Sequence, residues 1–264
     1  MLKLVDVHQK FEIGTVNEKH ILRGINLNVK EGDFITIIGG NGAGKSTMLN
    51  AISGSNAITS GKIIIDDIDL TKSPEYKRAK YIGRVFQDTR MGTASDLSIE
   101  ENLAIAYRRG KPRKLKFGIT SKEKEMYKEI LANLDLGLDK RLKDKTRYLS
   151  GGQRQALTLL MATFHHPKLL LLDEHTAALD PKTAKKVLDL TVKIVGEHNL
   201  TALMVTHNMK DALRIGNRII MLHKGQIILD ISGEEKKKLD VPDLLAMFEK
   251  ASGEEMNNDR MLLN

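Results

Sequence analysis

The stretch IIGGNGAGKST, residues 37–47, sets four glycines and one lysine in a turn that follows an apolar run. Within it, GGNGAGKS at residues 39–46 fits the pattern G-x-x-x-x-G-K-[ST], after a strand-like segment and before a short helical one, the context that this pattern requires. Glycines let the backbone curl until its N–H groups point inward around an anion, and the helix that follows offers its positive end to the same anion. On this reading Gly39, Gly40, Asn41, Gly42, Ala43, Gly44 and Thr47 belong to a phosphate cradle. Lys45 reaches the β- and γ-phosphates, and Ser46 ligates magnesium through its hydroxyl. The pattern identifies a nucleotide binder and no more, because kinases, GTPases and ATPases all satisfy it.

A second element narrows the chemistry. LLLLDEH, residues 169–175, is an apolar strand that ends in two acids, which is costly unless a cation meets them. Side chains alternate along a strand. Asp173 is therefore expected to face the magnesium shell, and Glu174 a water in line with the γ-phosphate.

The surrounding pattern predicts how these segments are arranged. MLKLVDV, ILRGINLNV and DFITIIG read as strands; Ile25, Leu27 and Val29 alternate strictly, so one face is wet and an antiparallel element is expected. A helix from Lys45 to about residue 52 is followed by GKIIIDDIDL as a further strand or hairpin. From about 92 to 147 branched strand runs vanish, and Met126, Ile130 and Leu134 stand at helical spacing among lysines and glutamates. This predicts an inserted helical subdomain. GQRQALTLLMATF and PKTAKKVLDLTVKIVGEH then read as helices, KLLLLD and TALMVT as strands covered on both faces, and NRIIMLHKGQIILD as a hairpin. The expectation is one domain over 1–240, then a helix near 241–250 and a charged tail to 264.

Composition excludes several classes. With no cysteine among 264 residues there is no disulfide framework and no thiolate metal site. No segment approaches the roughly 20 apolar residues of a membrane span, and MLKLVDVHQK lacks the apolar core of a secretory signal, so a soluble cytosolic chain is expected. The net charge of +8 calls for an anionic partner. Its densest cluster is RRGKPRKLK at 108–116, read as a solvated loop tip, a lipid-headgroup contact or a contact to a partner's acidic face. Nucleic acid is not expected, since stacking aromatics are sparse there. The adjacent pair His165 and His166 lacks obvious further metal ligands.

YLSGGQRQAL, residues 148–157, has a hydroxyl and two glycines opening a helix, a second anion-binding helix start in one chain. Together with Gln87 in VFQD, Asp180 in AALD and His207 in VTHN, it resembles the ATP-binding subunits of ABC transporters, over residues 2 to about 230. The resemblance implies an α/β fold of the ABC ATPase type: a P-loop NTPase core with a parallel sheet, an N-terminal antiparallel β subdomain and the inserted helical subdomain. It also implies ATP and Mg2+. Ser150, Gly151, Gly152 and Gln153 would cross to the ATP held by a second copy, burying two ATP molecules in a head-to-tail, two-fold dimer. Gln87 would bridge magnesium and the surface that grips a membrane partner, a surface that MGTASDLSIEENL would largely form. His207 would contact the γ-phosphate and hold the water and Glu174, while Asp180 would sit at the dimer seam, or cap a helix. Phe11 would stack on adenine, or serve as a core residue.

The function so implied is the ATPase motor of a bacterial importer of an amino-acid-type solute, at the cytoplasmic face of the membrane. Its partners would be integral membrane subunits and an external substrate-binding protein. A soluble ABC ATPase of Fe–S cluster assembly is the alternative. Two departures stand out, His175 where many relatives have proline or alanine and Ala177 where SALD would carry serine. Neither removes a phosphate, metal or water ligand.

Overall fold

A computed structural model of the chain describes residues 1–110 and 118–253. Most of the basic stretch at 108–116 and the end of the charged tail lie outside the described residues.

Strict alternation does build the first sheet. β1 (Leu2–Phe11) pairs antiparallel with β2 (Lys19–Val29), whose Ile25, Leu27 and Val29 are buried while Asn26 and Asn28 between them face water. In β1 the alternation breaks once: Asp6, at φ 47°, lies in an irregularity between Leu4 and Val7 that returns Val7 to the buried face. The hairpin after it joins β4 (Ser60–Ile65) to β5 (Ile68–Asp69) through Asp66 and Asp67, at φ 48° and 64°, as a tight two-residue turn demands. The sheet order is β2-β1-β4-β5.

The second sheet carries the continuous apolar runs. β3 (Phe34–Ile38), β7 (Leu169–Asp173) and β8 (Thr201–Val205) are buried at every position, as strands covered on both faces must be. With β6 (Ile82–Val85), β9 (Arg218–His223) and β10 (Gln226–Ser232) the order is β10-β9-β3-β8-β7-β6. Every neighbouring pair is parallel except the β9–β10 hairpin. β6 is too short, and too interrupted by Arg84, for periodicity to reveal it. This strand order sets β3, β8 and β7 side by side, so the loops leaving their C-terminal ends meet.

Helix α1 (Lys45–Ser53) sits between the sheets; its Met48 and Ile52 share one core with Leu4 and Ile25 of the first sheet and Leu171 and Val205 of the second. On the opposite face, α5 (Gly151–Thr163) and α6 (Pro181–Glu197) pack Leu159, Leu188 and Ile194 against Leu170 and Met204. Between β6 and α5, α3 (Ile99–Tyr107) and α4 (Ser121–Ala132) enclose a separate cluster, each starting with a reciprocal cap, Ser98 with Glu101 and Thr120 with Glu123. The buried face of α4 is centred on Tyr127 and Leu131, one residue beyond the expected stripe. Met126, Ile130 and Leu134 flank it, partly buried. Tyr127 wins the centre because its ring meets Tyr107 and Phe164 edge-on.

Short connectors α2 (Glu75–Arg78), α7 (Met209–Arg214) and α8 (Gly233–Lys238) complete the order. α9 (Val241–Ser252) does not hang free: Leu244 and Phe248 pack with Ile219 and Met221 of β9.

Candidate functional site

Three adjacent strand ends build the site. Beyond β3, Gly39 (φ 148°) runs so close to β9 that a side chain there would strike the Leu222 carbonyl, at 2.2 Å from an ideal Cβ. Gly42 and Gly44 adopt φ 76° and 101°, the left-handed region that turns the chain into α1. Among described helices of eight residues or more, α1 is the one whose first turn receives no side-chain cap. Its leading N–H groups are thus left for an anion. The Lys45 ammonium is buried and folded back onto the Gly39 and Gly40 carbonyls, at 2.8 and 3.1 Å. Burial pushes its pKa down, and the charges of Glu174 and Asp173 work against that shift.

The two acids do diverge. Asp173 Oδ1 accepts a hydrogen bond from Ser46 Oγ at 3.0 Å, so the two oxygen donors predicted to face magnesium stand together. Burial raises the Asp173 pKa, and the Ser46 hydroxyl and the Arg84 guanidinium oppose the rise. Glu174 leaves the strand at φ 43° and turns to His207, with 2.5 Å between its Oε1 and the ring Nε2. A left-handed glutamate costs about 1–3 kcal/mol and persists only where its surroundings hold it. Residues beyond β8 are aligned by the Thr206 N–H, which donates to Ile37 O at 3.1 Å.

The remaining expected residues lie apart. Ser150 caps α5 by taking the Gln153 N–H, while Gln153 Oε1 takes the Ser150 N–H, both at 3.2 Å. This helix start is therefore satisfied within its own chain, unlike that of α1. A Cβ on Gly151 would meet Leu179 at 3.1 Å and one on Gly152 would meet Thr183 Cγ2 at 2.1 Å, so this segment packs on the start of α6. Asp180 caps α6 through the Thr183 N–H, at 3.1 Å. Gln87 is exposed, one residue past the Phe86 carbonyl that Gln155 holds at 2.9 Å. Phe11 ends β1 with 37% of its surface exposed, so it is not a core residue.

Two contributors were not legible as site residues. Arg84 lies 3.8 Å from Asp173 Oδ2 and also donates to Asn50, Ser53 and Ser55, so it ties the acid to the end of α1. His175, noted only as a departure, is buried against Thr191 with its pKa pushed down to about 4 by desolvation. The signal for Arg84 was a lone cation in an apolar run.

Comparison with known proteins bears on the family. The family model described as ABC transporter matches residues 22–177. The chain is 45% identical over 251 residues to a tyrosine transport ATP-binding protein of Clostridioides difficile, covering 95% of this chain and 100% of that one. It is 33% identical to a phosphonates import ATP-binding protein of Lactococcus lactis subsp. lactis, over 90% of this chain and 96% of the relative. Among solved structures it is similar to a dimeric ATP-binding cassette, MJ0796, in a post-hydrolysis state bound to ADP and Pi. There the TM-score is 0.75 and the identity 31%, over 88% of this chain and 98% of the other. An uncapped helix beside a lysine, a strand ending in a paired acid, and whole-length likeness to such subunits lead to one assignment: the chain belongs to the ABC transporter family, as an ATP-hydrolysing ATP-binding cassette.

Proposed function

We propose that the chain is the motor subunit of an importer of an amino-acid-type solute, pairing head-to-tail with a second copy on ATP. Its whole-length likeness to a tyrosine transport ATP-binding protein supports the solute class, and the dimeric state of a structural relative supports the pairing. No described helix is long and apolar enough to cross a membrane, so transport would need separate integral membrane subunits, with an external substrate-binding protein delivering the solute. The chain would work at the cytoplasmic face of the membrane.

The observation that carries the hydrolytic part of this reading is the Glu174–His207 contact at 2.5 Å beside the Ser46–Asp173 contact at 3.0 Å. Lys45 would exchange the Gly39 and Gly40 carbonyls for phosphate oxygens, and the free N–H groups of α1 would bind the same anion. Ser46, Asp173 and Gln87 are the oxygen donors that would hold Mg2+, which when bound neutralises phosphate charge; the raised pKa of Asp173 fits a carboxylate waiting for a cation. Glu174 would take the proton of the attacking water, on the oxygen that His207 leaves open. His207 orients that carboxylate. Ser150, Gly151, Gly152 and Gln153 would close over the second copy's ATP, with Asp180 at the seam and Phe11 against adenine.

Glu174→Gln tests the core of the reading. ATP binding is expected to survive while hydrolysis slows roughly 10² to 10⁴-fold, so that an ATP-bound dimer accumulates in size-exclusion chromatography. Unchanged turnover would remove Glu174 from its role. For the transport reading, the membrane subunits that co-purify with the chain should support ATP-dependent uptake of labelled tyrosine or a related amino acid in proteoliposomes; no uptake of any amino acid would end it.

A further inference from the structure

We propose that His175 is a positioning residue for Glu174: its imidazole, hydrogen-bonded to Thr191 in α6, holds the turn that aims the carboxylate at the reacting water. The inference rests on the reading of Glu174 as the base and adds what fixes that base in place.

The case begins with the backbone. β7 ends at Asp173, paired with Val205, and Glu174 then departs at φ 43°. A non-glycine residue in such a conformation is strained and keeps it where its surroundings hold it. On the strand side the hold is the sheet, through the Glu174 N–H to Val205 O at 3.2 Å. On the other side the Glu174 carbonyl accepts from the Ala177 N–H at 2.9 Å, and the next side chain, His175, dives into the interior with 2% of its surface exposed.

There its Nε2 lies 3.0 Å from Thr191 Oγ1, which is itself fully buried. The direction of this bond follows from counting protons. The single hydroxyl proton of Thr191 goes to the Val187 carbonyl at 2.8 Å, so toward His175 the oxygen accepts and His175 Nε2 carries the hydrogen. Thr191 sits well inside α6, a helix of 17 residues packed on the sheet through Leu188 and Ile194, so the anchor is stiff. No hydrogen bond of His175 or Thr191 goes to residues 39–47. Loosening the tether should therefore leave the phosphate cradle intact and disturb only the aim of Glu174.

Three single variants and one double variant of the full chain test this beside Glu174→Gln. Thr191→Val removes the acceptor at nearly constant shape, His175→Phe removes the donor but keeps a ring, and His175→Gln returns an Nε2–H at similar reach. In the first two, kcat is expected to fall about 10- to 100-fold while affinity for a fluorescent ATP analogue stays within about 2-fold, because misplacing a reacting group costs rate and not binding. His175→Gln should recover most of the loss. The double variant Thr191→Val/His175→Phe should be no slower than the slower single one. Wild-type kcat in folded Thr191→Val and His175→Phe, with only a lowered Tm, would reduce the pair to a packing contact and overturn the proposal. Should His175→Phe fail to fold, Thr191→Val decides. If Glu174→Gln itself turns over at the wild-type rate, the base assignment has failed, whatever the tether does.

Discussion

Gly152→Ala puts the junction of α5 and α6 to a quantitative test. An ideal Cβ on Gly152 falls 2.1 Å from Thr183 Cγ2, where carbon atoms rest at about 3.5–4.0 Å. The overlap exceeds an ångström. Thr183 has little room to yield: it is β-branched, it stands in the first turn of α6, and its N–H is held by Asp180 at 3.1 Å. Driving Thr183 off its rotamer or the helices apart costs about 3 kcal/mol at the upper end of overpacking. Alanine is a better helix former than glycine by about 1 kcal/mol, leaving a net loss of about 2 kcal/mol. For a chain of this size each kcal/mol moves Tm by about 2–4 °C, so calorimetry should record a fall of roughly 4–8 °C. Thr183→Ala opens the space, and Gly152→Ala/Thr183→Ala should regain most of the loss. Gly151→Ala meets only the end of Leu179, at 3.1 Å, and should be milder. If Gly152→Ala unfolds at the wild-type temperature, or the second substitution returns nothing, the close contact of α5 with α6 is not what requires glycine. ATPase activity of the double variant separates two roles: stability without activity would leave Gly152 a task at the partner's nucleotide.

Further outcomes follow from the same geometry. Lys45→Ala should weaken nucleotide binding by about 10- to 100-fold, since charge-assisted hydrogen bonds contribute about 1.5–3 kcal/mol; equilibrium titration with unchanged affinity would remove the lysine from the phosphates. Asp180→Ala takes away the α6 cap and should lower stability by about 1 kcal/mol in chemical denaturation. Arg84→Lys cannot reproduce donors aimed at Asn50, Ser53, Ser55 and Asp173 together, and should cost about 1–3 kcal/mol by the same measurement. Lys236, buried with its ammonium on the Ile215 and Gly216 carbonyls, has its pKa lowered to about 8 by burial from 10.5. Between those values the unfolded chain binds the extra proton, so this residue makes stability rise with pH across that window and contributes nothing to the slope below it. The rise totals about 3 kcal/mol. Lys236→Met should flatten it in denaturant titrations at pH 8 and 10.

Chemistry held in contiguous residues was legible from the chain alone. Left-handed glycines ahead of a lysine, an apolar strand ending in two acids, and a serine capping a glycine-started helix each describe a local backbone state plus a reactive group, and short segments encode both. Alternation fixed β2 for the same reason, because a period of two can bury only one face. Tertiary structure decided everything that depends on which strands become neighbours. Periodicity does not carry strand order, so nothing in the spacing joins Arg84 to Asp173, His175 to Thr191 or Gly152 to Thr183. It also left the buried face of α4 one residue off, since an amphipathic stripe is wide and the packed aromatic cluster chose Tyr127 as its centre. The candidate site groups were thus named by sequence, and their partners were set by contacts between distant segments.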